Sequence, residues 1–307
     1  MKRNSTEMLL HLGVFAAMLL SSSGEACASP ILYSIGGNEF GAPVRVSKLD
    51  TAAGTSTAQF DMQTDSAGFS GLTYRSSDQN LYSVMLDGSG NSTLVSFSAT
   101  GVGVFSSVMM LQDLMNPDSI SFNGGLVYDA NDQYFYSVAN DPTGQSALYR
   151  IDAAAKTAQR LTTRLPLSLN GGLTVLADGT LGSIQNDAYG NSFVYAFTLG
   201  ATSASINPLF AGSIGQGFYG GLSYSDGTLY AIGSDPFAAG TLFSIDGMGA
   251  KIGVLAAGDG FLNAGLTEVP DATPVPEPST LLLVLSGGIS MTVAKITLKR
   301  KQNAHSA

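Results

Sequence analysis

The chain has 307 residues, of which 44% are apolar and only 12% are charged, with 37 glycines and a formal net charge of −9. This length fits one large domain or two smaller ones, and the turn-forming composition favours many short strands over long helices. The stretch 29–278 holds 8 basic and 21 acidic residues, so we expect it to repel nucleic acid. Cys27, His11 and His305 lie in the terminal segments, and no other cysteine or histidine occurs. Their position excludes catalytic triads, zinc fingers and disulfides from the body of the chain.

The N-terminus has the three parts of a secretory signal peptide. Two basic residues are followed by a mostly apolar core, Met8–Leu20, and by small residues at a cleavage position, Ala26 and Ala28. As a helix this core would span about 20 Å, which is short of the roughly 30 Å of a bilayer core. We therefore expect a signal helix over residues 1–28, export by the Sec machinery and cleavage by signal peptidase after Ala28. A short membrane anchor and acylation at Cys27 are the alternatives.

The body of the chain, residues 29–270, contains an internal repeat. Similar segments begin GFSGLTY, NGGLVYD, NGGLTVL, YGGLSYS and LNAGLTE, and their Gly-Leu pairs are spaced by 54, 47, 49 and 44 residues. Each complete unit has four alternating apolar stretches separated by turns, which is the pattern of β-strands. The interval from the second to the third stretch is 13 residues in every complete unit, which indicates a fixed hairpin. Four strands in a unit of this length are typical of a β-propeller blade.

The two ends of the body complement each other. LYSIGGNEFGAPVRVSKLD, near the start, matches the second and third strands of a unit and lacks a first strand, whereas LNAGLTEV is a first strand with nothing after it. Residues 260–269 would complete the blade that begins at Ile31 and so remove the exposed edges. We therefore predict an all-β fold, a five-bladed β-propeller closed by shared N- and C-terminal strands. A β-sandwich and an open array are the alternatives, but neither requires complementary half units.

The turns between the second and third strands carry the candidate binding residues. They read LDGSGNS, NDPTGQS, NDAYGNS and SDPFAAG, and they place Asp87, Asp141, Asp187 and Asp235 at matching positions. Because these turns open on one face of a propeller, the aspartates could form a ring of oxygen ligands around the central channel that suits Ca²⁺. The alternative is that Asp, Asn and Gly recur there because they form turns, and then no cofactor is expected.

The C-terminus combines a proline-rich linker, an apolar segment and a basic cluster. Prolines keep the linker, residues 271–280, extended. Residues 281–298 would span roughly 27 Å as a helix, with one charge inside, and are predicted to be a transmembrane helix. The basic cytoplasmic tail, residues 299–307, begins with the stop-transfer residues Lys299, Arg300 and Lys301.

Pro276, Glu277 and Pro278, followed by a short apolar helix and a terminal basic cluster, resemble a PEP-CTERM sorting domain. The resemblance covers about 27 residues, and Lys295 and the residues after the basic cluster depart from the pattern. It implies a Gram-negative bacterium that makes exopolysaccharide, and an inner-membrane intermediate that an exosortase recognises and cleaves. Transfer to the cell surface or extracellular matrix would follow. The alternative is an ordinary C-terminal membrane anchor.

These features favour an exported, non-catalytic β-propeller that acts as a binding or structural module. Its partners would be matrix polysaccharide or a surface protein. We expect no catalytic residue, because the body has neither a thiol nor an imidazole. The alternative is an extracellular metal-dependent propeller hydrolase, of lactonase or glycosidase type, that uses the carboxylates of the aspartate ring.

Overall fold

A computed structural model describes residues 29–36, 44–62, 68–101, 103–112, 121–141, 143–163, 165, 168–218, 220–233, 240–249, 251–256 and 263–270. The chain divides into two compact units, Met1–Val269 and Pro270–Ala307. The predicted signal peptide, PEP motif, transmembrane helix and basic tail lie outside the described residues. In the part that is described, no helix is long and apolar enough to span a bilayer.

The described strands form five antiparallel sheets, and four of these sheets are meanders of strands that are consecutive in the chain. One strand of every sheet contacts its counterpart in the two neighbouring sheets, so these strands form a closed inner ring. The inner strands are β4 (Gly68–Arg75), β8 (Leu126–Asp129), β12 (Leu169–Val175), β17 (Leu222–Ser225) and β21 (Asn263–Glu268).

The other strands follow outward in the order of the chain. The second strands are β1 (Ile31–Gly36), β5 (Asn80–Leu86), β9 (Tyr134–Asn140), β13 (Leu181–Asn186) and β18 (Thr228–Gly233). The third strands are β2 (Val44–Asp50), β6 (Ser92–Ser98), β10 (Ser146–Asp152), β14 (Asn191–Leu199) and β19 (Thr241–Ile245). The outer strands are β3 (Thr55–Met62), β7 (Phe105–Leu111), β11 (Thr157–Arg160), β15 (Ala204–Pro208) and β20 (Lys251–Ala256). A short additional strand, β16 (Gly215–Gln216), pairs with β14.

The first blade is completed by the last strand of the body, as the sequence predicts. Its sheet order is β21-β1-β2-β3, with Leu32 opposite Glu268 and Ser34 opposite Leu266. The remaining blades follow in chain order, from β4–β7 to β17–β20. The five-bladed β-propeller with shared terminal strands is therefore confirmed, and five separate sheets around an inner ring exclude a two-sheet sandwich.

The hydrophobic core lies between the blades. Each of the five clusters of buried side chains among the described residues joins one pair of neighbouring blades. Successive residues of a strand point to opposite faces of its sheet. Accordingly, Leu81 packs toward the first blade and Tyr82 toward the third. Because both faces of a blade are covered, the second strands are buried along most of their length.

A ring of glycines holds the inner strands together. The members, one from each inner strand or the residue before it, are Gly71, Gly125, Gly172, Gly221 and Gly265. A Cβ on Gly71 would lie 2.2 Å from the amide nitrogen of Leu126, and a Cβ on Gly265 would lie 2.4 Å from that of Leu72. Each glycine thus faces the backbone of the next blade, and the last faces the first. No side chain larger than hydrogen fits between neighbouring inner strands here.

Serines on the second strands bind the carbonyl groups of three of these glycines. The Oγ atoms of Ser83, Ser137 and Ser183 donate hydrogen bonds to the carbonyl oxygens of ring glycines at 2.5, 2.7 and 3.0 Å. Ser34 occupies the same position in the first blade, but its buried Oγ has no hydrogen-bond partner among the described residues. The serine hydroxyl at this position therefore makes a hydrogen bond in three blades, whereas in the first blade it makes none to the described residues.

This difference predicts opposite effects of one substitution. Ser137→Ala should lower the free energy of unfolding by about 1–2 kcal/mol, because the buried carbonyl of Gly125 loses a hydrogen bond. Ser34→Ala should be neutral or stabilising, because it removes a buried hydroxyl that makes no such bond. Urea unfolding of the two variants measures the difference. An equal loss of unfolding free energy in both variants would show that the Ser34 hydroxyl makes a hydrogen bond in the folded protein.

Arg75 links the second and third blades. Its guanidinium carbon lies 4.6 Å from the ring centroid of Tyr82 and 5.6 Å from that of Phe135, which belongs to the next blade. Its Nη2 contacts Asp78 Oδ2 at 2.5 Å, and the hydroxyl of Tyr82 donates to the same oxygen at 2.6 Å. Burial opposes ionisation of Asp78, but the hydrogen bonds from Arg75 and Tyr82 and the charge of Arg75 lower its pKa to about 2.

The lowered pKa gives Asp78 a pH-dependent role in stability. Because its pKa in the folded state is below the ordinary value of 3.8, its contribution is present above about pH 4 and is lost as the pH falls toward 2. Asp78→Asn should therefore lower the Tm at pH 7, with a difference from the unsubstituted protein that shrinks between pH 4 and pH 2. Arg75→Gln should remove the same pH-dependent contribution to the Tm. A Tm difference that is constant down to pH 2.5 would contradict this role.

Candidate binding face

Three of the four predicted binding residues lie on one face of the propeller, which we call the aspartate face. It consists of the turns that follow the second strands and of the segments that lead into the inner strands. Ser121 and Asn140 exchange backbone hydrogen bonds at 3.0 and 2.8 Å, which places a turn beside a lead-in segment. Asp87, Asp141 and Asp187 each begin such a turn, as predicted, whereas Asp235 lies outside the described residues.

Asp87 and Asp187 hold their turns in the same way. Oδ1 of Asp87 accepts from the amides of Ser89 and Asn91 at 2.9 and 2.8 Å, and Oδ2 accepts from Asn91 Nδ2 at 2.8 Å. Asp187 repeats this pattern with Tyr189 and Asn191, at 2.8 Å in each case. Oδ1 is saturated in both residues, and each Oδ2 keeps one lone pair.

Asp141 is buried, and its contacts differ. Its Oδ1 accepts from the amide of Thr143 at 2.9 Å, from the Thr143 hydroxyl at 2.6 Å and from the amide of Gln145 at 3.0 Å. The residue is 8% exposed, in contrast to the exposed turns of Asp87 and Asp187. This oxygen is therefore committed to the turn.

The hydrogen bonds determine what chemistry these carboxylates can perform. The hydrogen bonds from Asn91 lower the pKa of Asp87, and those from Asn191 lower the pKa of Asp187. A general acid that acts near neutral pH needs a raised pKa, so neither carboxyl suits that role. Asp87 and Asp187 each provide a fixed negative charge and one free lone pair on Oδ2.

A second set of polar side chains makes the aspartate face rigid. Ser192 Oγ donates to Asn186 Oδ1 at 2.5 Å and accepts from the amide of Phe218 at 3.1 Å, while Asn186 Nδ2 donates to the Phe218 carbonyl at 3.1 Å. This closed circuit fixes the lead-in segment of the next blade. Ser146 and Asn140 make the corresponding contacts to Leu169.

Sequence reasoning did not identify these residues, although a signal for them exists. NDPTGQS and NDAYGNS both begin with Asn and end with Ser six residues later. The repeated pair marks the residues that join one blade to the next. In the second blade, Ser92 also accepts from the amide of Phe122, at 3.0 Å, but Leu86 occupies the position of the asparagine.

The aspartate face offers a weak set of metal ligands. Calcium takes six to eight oxygens, so the described aspartates would need further donors that converge on one point. Among the described residues, no three His, Cys, Asp or Glu side chains are grouped closely enough to hold a metal ion. With Asp235 outside this set, the predicted ring of aspartates stays a prediction.

The fold and this face define the class of protein, an all-β five-bladed propeller with an acidic face built from turns. No family model and no curated protein matches the chain. A gluconolactonase from Xanthomonas campestris is 14% identical, with 76% of this chain and 83% of the other covered and a TM-score of 0.44. A putative 6-phosphogluconolactonase from Bacteroides fragilis is 10% identical, with coverages of 80% and 100% and a TM-score of 0.44. A GH43 glycoside hydrolase is 13% identical, with coverages of 81% and 53% and a TM-score of 0.49.

Proposed function

We propose that this chain is an exported, non-catalytic propeller that is sorted to the cell surface or exopolysaccharide matrix and acts there as a binding or structural module. The observation that supports the non-catalytic part is that Asp87, Asp141 and Asp187 serve as turn acceptors, while the lowered pKa values of Asp87 and Asp187 make these two unsuited to act as general acids. The body also lacks a thiol and an imidazole that could replace them. The export route rests on the predicted signal peptide and on the resemblance to a PEP-CTERM sorting domain.

The sorting part is tested in a Gram-negative host that makes an exosortase. The full chain should lose its signal peptide and its C-terminal segment, and should be recovered at the surface or in the matrix. A variant with Pro276, Glu277 and Pro278 all changed to Ala should remain in the inner membrane. Fractionation and intact-mass measurement of both proteins give the result. Full-length protein in the cytoplasm would overturn the proposal.

The non-catalytic part predicts that the aspartate face does not need calcium. The Tm in 1 mM CaCl₂ should agree with the Tm in EDTA within about 1 °C, because turn amides saturate Oδ1 of Asp87 and Asp187 and no three acidic side chains are grouped closely enough among the described residues to hold the ion. A ligand at 100 times its Kd adds about 2.7 kcal/mol, which is a rise of several degrees for a domain of this size. A rise of that size, reversed by EDTA and lost in Asp141→Ala or Asp187→Ala, would favour the metal-dependent hydrolase or a calcium-stabilised scaffold.

A further inference from the structure

The turn between β13 and β14, on the aspartate face, carries Tyr189. This is the only exposed aromatic side chain among the described residues, and it is 84% exposed. The corresponding positions of the second and third blades hold Ser89 and Thr143, each two residues after the aspartate that begins the turn. The same turn therefore forms without an aromatic residue, and its conformation does not explain the tyrosine. The ring is available for contact with a ligand.

This turn is braced by an additional strand. The amide of Tyr189 donates to Asp187 Oδ1 at 2.8 Å, and the carbonyl of Gly190 accepts from the amide of Gly217 at 3.1 Å. Gly217 follows β16, which pairs with the start of β14 and is the only described strand outside the four-strand order of its sheet. A rigid support lowers the entropy cost of binding, and a tyrosine has only two side-chain torsions to restrict. The exposed ring is thus held in advance of any contact.

A chain of polar side chains lies beside the tyrosine. Asn191 and Gln216 are directly opposite each other in the β14–β16 pair. Gln216 Nε2 lies 3.4 Å from Asn191 Oδ1 and 3.5 Å from the Tyr189 carbonyl oxygen, while Asn191 Nδ2 donates to Asp187 Oδ2 at 2.8 Å. Gln216 Oε1 makes no hydrogen bond to the described residues, and Asp187 Oδ2 keeps one lone pair. The chain therefore ends in an acceptor oxygen on each side.

We propose that Tyr189 and this polar chain form a subsite for an uncharged pyranose unit of a polysaccharide. The C–H face of a pyranose suits the electronegative face of a tyrosine ring, and its hydroxyl groups can donate to Asp187 Oδ2 and Gln216 Oε1. A tyrosine buries about 150–250 Å², which matches a sugar unit but is far below the roughly 800 Å² that each partner contributes to a stable protein interface. The inference rests on the proposed function as a binding module and adds the class of ligand and the residues that hold it.

The test is native electrophoresis of the full chain through gels that contain dextran, hydroxyethyl cellulose, galactomannan or arabinoxylan. The chain is purified in a detergent without a sugar head group, so that the detergent does not compete. At least one polysaccharide should slow the chain, and the dependence of mobility on polysaccharide concentration gives the Kd. No retardation in any gel would overturn the proposal and favour a protein partner. Sorting is measured separately by fractionation, so the failure of either result leaves the other standing.

Variants locate the binding at Tyr189. Tyr189→Ser introduces the residue type that the second blade has in the same turn, so it should fold, and it should weaken binding by about tenfold. Tyr189→Phe keeps the ring and should bind within about twofold of the unsubstituted chain. Gln216→Ala removes an acceptor for a sugar hydroxyl and should weaken binding by about threefold.

Met248→Ala is the control, because it removes another exposed apolar side chain, which is 88% exposed, from the β19–β20 turn. It should leave the retardation unchanged. Retardation that survives Tyr189→Ser, or that falls equally in Met248→Ala, would overturn the proposal.

Discussion

Gly221→Ala should destabilise the propeller by about 3 kcal/mol or more, which is a large effect for a single methyl group. The added Cβ would lie 2.2 Å from the amide nitrogen of Leu266 and 2.4 Å from the carbonyl carbon of Gly265. Both are backbone atoms of the strand that closes the ring, so no side-chain rotation relieves the clash. For a domain of this size the expected fall in Tm is about 6–12 °C.

Gly212→Ala is the matched control for this prediction. A Cβ at Gly212 meets nothing within 4 Å, and neither glycine has the positive φ that would itself disfavour alanine. Gly212→Ala should be neutral or slightly stabilising, because alanine restricts the unfolded chain. Thermal unfolding of both variants therefore isolates the contact between blades. Similar Tm values in the two would mean that the inner strands are not in contact at Gly221.

Removal of β21 should abolish cooperative folding. A chain that ends at residue 262 loses the inner strand of the first blade, including Leu266, which is 2% exposed and packs in the cluster of Leu32 and Tyr230. A single buried Leu→Ala change costs about 2–5 kcal/mol, and loss of the strand also leaves the edge of β1 unpaired. The total loss of unfolding free energy is comparable to the free energy of unfolding of a whole domain.

The comparison protein ends at residue 270 and keeps β21. It should elute as a compact monomer and unfold in one step in urea, whereas the chain that ends at residue 262 should aggregate or unfold without a sharp transition. Closure of the ring would be dispensable if both chains unfolded at the same urea concentration with the same slope.

The blade architecture could be predicted because its signals are local or periodic. The Gly-Leu period gives the number of units, and the unmatched LNAGLTEV segment indicates which strand completes the first blade. The ring glycines are the glycines of these Gly-Leu pairs, but the contacts that they make could not be predicted in the same way. Gly71 and Gly125 are 54 residues apart, and the repeat does not say which backbone each glycine faces. Only the packed structure shows that each glycine faces the backbone of the next blade.

The role of the turn aspartates could not be predicted from the sequence to the same extent. The residue types of Asp87 and Asp187 allow both a metal ligand and a turn acceptor, and the hydrogen bonds to Asn91 and Asn191 become visible only in three dimensions.

The shared first blade also determines how the body would respond to mechanical load. β1 and β21 are antiparallel neighbours, so the two ends of the body, at Pro30 and Pro270, emerge side by side. A force that pulls these ends apart would break the hydrogen bonds between the strands one at a time, beginning with the 3.2 Å bond from the Val269 amide to the Ile31 carbonyl. Under this load the two strands therefore separate progressively from one end, and their hydrogen bonds do not resist the force all at once. A tether beyond Pro270 would therefore open this blade before the four blades that are each continuous in the chain.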